Sequence, residues 1–289
     1  MLFLSSLVVA LYALAASASP IIAPRHENDF SCRSTKHPNP VIALHGLFFN
    51  RDLDLNFLEG WLRPQGYCTF SLTYGLYPGI PLGGIKPVNE SALEIVDFIH
   101  EVLNKTGASK VDLVGHSEGG LQSLYIPKFV PGAAHLIDRV IAIAPPTKGT
   151  TLSGLLLLAK DLGLLPTVNE VLDTVGCQAC NDVFVGSELV TKLNDGPIAQ
   201  PGNTVTVIAS RFDYVVTPPE SAFINEKGVT NIFVQDYCPL DLVGHGSLAI
   251  DSNMWNLVLN ALEDKVGRKF PCVIAPPIRR EEMVSIEAA

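Results

Sequence analysis

Charged residues are scarce in this chain, and basic ones are scarcer still. Only 17% of the 289 residues are charged, with 20 Lys and Arg against 29 Asp and Glu, for a net charge of −9 at pH 7. The shortage of basic residues argues against a nucleic-acid partner, because a phosphate backbone requires clustered Lys and Arg. Since 47% of the residues are hydrophobic, the chain can bury a large core and is not expected to be disordered.

Long apolar runs are also scarce, and the one that stands out lies at the N-terminus. Residues 2–16 are almost uninterrupted apolar residues, but a bilayer span needs about 20. Ala16-Ser17-Ala18 follows with the small-x-small pattern that signal peptidase accepts, although no Lys or Arg precedes the run. We predict a signal peptide over residues 1–18 and therefore a secreted, extracellular protein, with a signal anchor as the alternative.

Six cysteines fit the oxidising compartment that such a signal implies. An even number of cysteines predicts three disulfides, and six cysteines can be paired in fifteen different ways. The Cys-Gln-Ala-Cys segment is interpreted as structural rather than redox-active, since no predicted strand precedes it. Local spacing favours the pairs Cys32–Cys68, Cys177–Cys180 and Cys238–Cys272. Acceptor sequons predict glycosylation at Asn89 and Asn104.

Short apolar runs alternate with helical patterns along most of the chain. Helical spacing of apolar residues predicts helices at 92–103, 119–129 and 250–266. This alternation predicts an α/β fold with a mostly parallel central sheet and helices on both faces. The predicted strands lie at 40–44, 68–74, 111–114, 140–144, 204–209 and 230–235.

The same pattern predicts how the chain is divided. An N-terminal arm at 19–37 precedes one domain at 38–272, and a Pro-rich, then charged, mobile tail occupies 273–289. Residues 147–202 are long for a connection, and their Leu-rich first half interrupts the alternation, so we expect an insertion there.

Gly115-His116-Ser117-Glu118-Gly119 matches the G-x-S-x-G nucleophile elbow, with an apolar strand before it and a helical pattern after it. A serine at so sharp a turn has a strained backbone, which only small neighbours two residues away permit. The pattern alone is also compatible with an ordinary tight turn. Its position between strand and helix favours Ser117 as a nucleophile.

A serine nucleophile needs a base and an acid to orient that base. His245 is the only one of seven histidines that follows the last predicted strand, as the chain order Ser, Asp, His requires. Asp213 follows the strand at 204–209 and is the favoured acid, with Asp236 and Asp241 as rivals. Backbone N–H groups of Leu47 and Glu118 are the expected oxyanion donors, from the His-Gly loop after the first strand and from the residue after Ser117.

Several segments together resemble the secreted class 2 lipases of fungi and actinobacteria. The resemblance covers residues 38–262 and includes the strand with its His-Gly loop at 40–46, the elbow at 112–117, and the segments 213–218 and 235–239. It implies an α/β-hydrolase fold with a small cap or lid insertion, and a cofactor-free triad of Ser117, Asp213 and His245. Glu118 stands where the family usually has Gln, and a carboxylate beside an oxyanion is unfavourable unless it points away.

The resemblance also implies lipid-like ester substrates, and hence a lipase or carboxylesterase. An acyltransferase or a lactone-forming enzyme with the same triad is the alternative, and a catalytically dead binding protein is a third. We expect a monomer with transient contact to a lipid interface and no metal or cofactor. The insertion is expected to line or cover an acyl pocket, or else to pack as a plain cap helix. The expected pocket residues are Leu152, Leu155, Leu158, Val215 and Val216.

Overall fold

A single sheet of six strands runs through the computed structural model, which describes residues 27–154, 170 and 176–273. Every neighbouring pair of strands is parallel. The prediction of a mostly parallel sheet is therefore confirmed. In the order in which they lie in the sheet, the strands are β2 (Thr69–Ser71), β1 (Val41–Leu44), β3 (Val111–His116), β4 (Ile137–Ile143), β5 (Thr204–Ala209) and β6 (Thr230–Phe233).

Helices cover both faces of the sheet because its strands are apolar on both sides. In β1, Ile42 and Leu44 face the cluster that contains helices Val88–Thr106 and Glu118–Phe129, whereas Val41 and Ala43 face the cluster that contains helices Asn56–Leu62 and Ser252–Leu262. This alternation follows from the two-residue period of a strand. The described helices are α1 (Asn56–Leu62), α2 (Val88–Thr106), α3 (Glu118–Phe129), α4 (Gln178–Asp182), α5 (Glu188–Leu193) and α6 (Ser252–Leu262).

Helix α6 is shorter at both ends than the prediction of 250–266. Asp251 caps its start by accepting a hydrogen bond from the Met254 N–H at 2.7 Å. Just after its end, Asp264 has a φ of 54° and Gly267 a φ of 100°, so the backbone there is left-handed. Apolar periodicity continues across both boundaries, which explains why the pattern overestimates the helix.

The order in which strands are added to the sheet reverses at β1. The chain passes from β1 to β2 on one side, and then returns to place β3 on the other side of β1. In open parallel sheets such a switch opens a crevice at the carboxyl ends of the strands, where ligands bind. The loop after β1 and the turn after β3 meet at this crevice.

Three disulfides join the cysteines in the pairs that local spacing favours. Cys32–Cys68 ties the segment before β1 to the start of β2, Cys177–Cys180 closes a short turn, and Cys238–Cys272 holds the chain after α6. The predicted signal peptide, most of the predicted tail, and Leu155 and Leu158 lie outside the described residues. In the part of the chain that is described, no helix has the length and apolar character to cross a membrane.

Candidate active site

Ser117 occupies a strained turn between β3 and α3. Its φ of 55° and ψ of −119° lie in a region that residues other than glycine rarely adopt. Two glycines make the turn possible by removing atoms from a crowded centre. A Cβ on Gly115 would lie 2.0 Å from the carbonyl oxygen of Gly119, and a Cβ on Gly119 would lie 2.2 Å from that of Leu44. The strand and the helix therefore approach each other closely enough to lift the Ser117 side chain out of the sheet.

The structure brings Ser117, His245 and Asp213 together in one hydrogen-bonded array. Nε2 of His245 lies 2.9 Å from Oγ of Ser117, and Nδ1 of His245 lies 2.7 Å from Oδ2 of Asp213. The three residues follow β3, β5 and β6, and the carboxyl ends of parallel strands share one edge of a sheet. Residues far apart in the chain therefore meet at that edge.

The rivals of Asp213 make other contacts. Asp236 pairs with Arg211 at 2.7 Å, and Asp241 accepts hydrogen bonds from the Asn253 side chain and the Val243 N–H. Neither of them bonds to His245. Asp213 does bond to His245 through Oδ2, and its other oxygen, Oδ1, accepts hydrogen bonds from the N–H groups of Val215 and Val216 at 2.8 and 2.9 Å. These bonds fix the carboxylate so that Oδ2 faces the imidazole.

Burial lowers the pKa of His245, although its hydrogen bond to Asp213 acts in the opposite direction. A neutral His245 has one N–H to donate, and the carboxylate of Asp213 is the acceptor at Nδ1. Nε2 is then left as an acceptor for the hydroxyl proton of Ser117. This is the protonation state that a general base requires.

Two free backbone donors flank Ser117. The Leu47 N–H donates no hydrogen bond within the described ranges, and the Glu118 N–H is the first amide of α3, which has no intrahelical acceptor. The loop that carries Leu47 lies directly beside the serine, since a Cβ on Gly46 would come within 3.2 Å of Ser117 Cβ. Both predicted oxyanion donors therefore border the serine.

A second buried His–Asp pair lies behind this array, and sequence reasoning missed it. His116 Nδ1 lies 2.9 Å from Oδ1 of Asp54, and His116 Nε2 lies 3.1 Å from the backbone oxygen of His245. The backbone oxygen of His245 and the carboxylate of Asp54 both accept, so both ring nitrogens of His116 donate and the ring is a cation. Burial alone would lower the pKa of His116, but the charge and hydrogen bond of Asp54 raise it above the ordinary value.

This ion pair connects the loop that carries Leu47 to the loop of His245. Besides His116, Asp54 accepts the Gly46 N–H at 2.7 Å, and His116 holds the His245 backbone. The positive charge of His116 also lowers the pKa of His245. Only the neighbouring G-H-S motif pointed to His116, and no local pattern singles out Asp54.

Replacing Asp54 with Asn is expected to lower the free energy of unfolding by about 3–5 kcal/mol, because it leaves the His116 cation buried without a partner. Denaturant unfolding at pH 7 measures the loss. A double replacement, Asp54→Asn with His116→Gln, leaves no unpaired charge and should recover part of the stability. If the loss in free energy of unfolding in the double variant equals the sum of the losses in Asp54→Asn and His116→Gln alone, the two groups are not an ion pair.

The array opens into a cavity of about 430 Å³, a size typical of small-molecule sites. Three of the predicted pocket residues, Leu152, Val215 and Val216, line it. Aromatic side chains that the sequence reasoning did not single out complete much of the wall, namely Phe48, Phe49, Phe184 and Tyr214. The cavity is therefore largely apolar, with Ser117 and His245 among its polar groups.

Comparison with known proteins points to one family. The family model described as lipase (class 2) matches residues 38–252. The triacylglycerol lipase of Pseudomonas fragi is 30% identical over 138 residues, which cover 47% of this chain and 44% of the relative. That of Pseudarthrobacter phenanthrenivorans is 29% identical over 124 residues, 38% of this chain and 34% of the relative. The chain thus spans less than half the length of these curated relatives.

Solved structures agree on the fold. Aspergillus fumigatus lipase B superposes with a TM-score of 0.61 at 21% identity, over 81% of this chain and 54% of the other. A Bacillus licheniformis lipase in its mature form gives 0.53 at 18% identity, over 71% of this chain and 88% of the other. These likenesses establish the α/β-hydrolase fold, and the match over residues 38–252 confirms the resemblance. The chain belongs to the class 2 lipase family.

Proposed function

We propose that this protein is a secreted serine hydrolase that cleaves carboxylic esters of apolar acyl chains. The observation that carries the proposal is the hydrogen-bonded Ser117–His245–Asp213 array at the floor of an apolar cavity. Membership in a lipase family and the triacylglycerol lipase activity named for its relatives support the same reaction class.

Each residue of the array has a part in the reaction. The Ser117 hydroxyl attacks the ester carbonyl carbon while Nε2 of His245 takes its proton, and Asp213 stabilises the imidazolium that forms. The negative oxygen of the tetrahedral intermediate is held by the N–H groups of Leu47 and Glu118. His245 then returns the proton to the departing alcohol, which leaves an acyl group on Ser117. Water, activated by the same histidine, releases the acid, and no step requires a metal or cofactor.

The cavity wall favours an apolar acyl chain over a charged one, since burying an unpaired charge against aromatic and aliphatic side chains is costly. At the mouth, Phe48 and Tyr214 are 47% and 55% exposed. Large apolar side chains exposed beside a site are typical of contact with apolar partners. We therefore include transient contact with a lipid interface in the proposal.

Secretion is supported by the N-terminal apolar segment together with the three disulfides, which persist in oxidising compartments. Asn89 and Asn104 are both exposed on α2, so an oligosaccharide on either one would project into solvent. N-terminal sequencing of the exported protein, and its mass before and after glycosidase treatment, test these two points.

A hydrolysis profile on esters of short to long acyl chains tests the proposal, and we expect turnover that rises with chain length until the cavity is filled. An organophosphonate probe should form one adduct, which peptide mapping places on Ser117. Competing alcohols in the same assay separate hydrolysis from acyl transfer, and a predominance of transesterified product would identify an acyltransferase. Absence of both turnover and adduct would show that the protein is not a serine hydrolase.

A further inference from the structure

The side chain of Glu118 is fully buried and has no solvent contact. Its backbone N–H faces the Ser117 site, whereas its carboxyl group runs under the loop that carries Leu47. A Cβ on Gly84 would lie 3.2 Å from Glu118 Oε2 and 3.3 Å from the Leu47 Cα, so one glycine separates the acid from that loop. A carboxyl group thus sits beneath an oxyanion donor, and its charge matters to the chemistry.

The hydrogen bonds around Tyr74 determine that charge. The Tyr74 hydroxyl oxygen lies 2.6 Å from the backbone oxygen of His45 and 2.6 Å from Oε2 of Glu118. A phenol has one proton, and a backbone oxygen has none to give. Tyr74 therefore donates to His45, and the second short contact requires a proton on Oε2 of Glu118.

The other oxygen of Glu118 is equally well defined. Gln122 Nε2 lies 2.9 Å from the backbone oxygen of Val88 and 2.8 Å from Oε1 of Glu118. Since the Val88 oxygen only accepts, the amide nitrogen of Gln122 must face it, and Oε1 receives the second N–H. Oε1 is thus an acceptor and Oε2 a donor, which is the pattern of a neutral carboxylic acid.

The surroundings favour the same state. Burial raises the pKa of Glu118 from 4.5 to about 8, and the charge of Asp182 on α4 adds to the rise. His45 stacks on the Tyr74 ring at 4.3 Å, donates from Nδ1 to the Gly46 oxygen and accepts the Tyr74 N–H at Nε2, so it is neutral. Among the described residues, further ionisable groups at this end of β3 are the hydrogen-bonded pairs His245–Asp213 and His116–Asp54.

We propose that Glu118 is a protonated positioning residue, which holds the loop that carries Leu47 in place through Tyr74 and stops hydrolysis when it ionises at alkaline pH. This inference rests on the hydrolysis proposed above. After loss of its proton, Glu118 accepts from Tyr74, and the phenol turns away from the His45 oxygen. The loop that carries Leu47 then loses its hydrogen bond at the His45 oxygen. A negative charge also lies under the N–H groups that must bind an oxyanion. Both effects weaken transition-state binding and lower kcat.

Glu118→Gln tests the proton directly, because a Gln side chain donates from Nε2 to Tyr74 and accepts at Oε1 without an ionisable proton. In the wild type, kcat should fall about tenfold for each pH unit above about 8. With kcat normalised to its own value at pH 6.5, Glu118→Gln should lack this decline. Glu90→Gln removes an exposed carboxylate from α2 and should keep the wild-type profile. The same alkaline decline in Glu118→Gln would overturn the proposal.

Glu118→Leu separates positioning from charge. It removes the hydrogen bond to Tyr74, so kcat should fall at least tenfold with little change in KM, and Gln at the same position should restore most of that loss. A Leu variant as active as the Gln variant shows that the contact with Tyr74 positions nothing. Melting temperatures of both variants identify a loss that comes from unfolding instead.

A stability measurement tests the protonation state without any ester assay. The folded protein binds the Glu118 proton more tightly than the unfolded chain does, so stability falls as pH rises from about 4.5 to about 8. The melting temperature of the wild type should therefore decline relative to Glu118→Gln across this window and run parallel to it above. A constant difference from pH 5 to 9 contradicts a neutral acid. If the melting temperatures show this pH dependence but no ester is cleaved, only the proposed function is contradicted.

Discussion

Replacing Ser117 with Ala is expected to lower kcat on the order of a millionfold, to the residual level that binding and the oxyanion donors supply alone. The reason is chemical rather than structural. The Ser117 hydroxyl oxygen lies 2.9 Å from the base that would activate it, and without this oxygen no acyl-enzyme forms. The measurement is kcat on the best ester of the chain-length profile, with the phosphonate probe as a second readout.

The matched control for this variant is Ser109→Ala, which removes the same hydroxyl from an exposed position after α2. It should hydrolyse esters and react with the probe as the wild type does. Ala keeps the Cβ and the backbone conformation of Ser117 and loses only an oxygen that faces the cavity, so Ser117→Ala should melt close to the wild type. Activity of Ser117→Ala within a hundredfold of the wild type would show that another residue is the nucleophile.

The parallel sheet was predictable because its signals are local. A strand buried on both faces appears as a short continuous apolar run, and the run at 204–209 coincides with β5 residue for residue. The ends of elements were less predictable, as α6 shows. They depend on one cap at Asp251 and on left-handed residues such as Asp264, neither of which alters the apolar pattern.

The candidate site divides along the same line. Ser117 and His245 were predictable because the elbow motif and the order of residues in the chain are readable without a structure. Asp54, Tyr74 and the role of His116 were not, since the hydrogen bonds Tyr74–Glu118, Asp54–His116 and His116–His245 join residues 44 to 129 positions apart. The orientation of Glu118 was also out of reach, because it depends on which acceptors surround a buried carboxyl group. Predicting such contacts requires the tertiary packing itself.

Replacing Asp213 with Asn should lower kcat about ten-thousandfold while leaving the fold intact. The amide oxygen of Asn can still accept the N–H groups of Val215 and Val216, so the side chain keeps its orientation. Its NH₂ group then faces Nδ1 of His245 where a carboxylate oxygen stood. A donor at this position forces His245 to carry its proton on Nε2, so the ring can no longer accept the proton of Ser117. The ring stays in place and the base is lost.

Asp236→Asn is the matched control, since it makes the same chemical change at one of the two rival candidates for the acid. Asp236 is about half exposed and paired with Arg211, and no hydrogen bond joins it to His245. Its replacement should change kcat by less than about twofold, as surface substitutions usually do. Of these two carboxylates only that of Asp213 contacts His245, so a loss confined to Asp213→Asn comes from that contact. A larger loss in Asp236→Asn would assign the acid to Asp236, and comparable losses in both variants would contradict a specific role for the contact between Asp213 and His245.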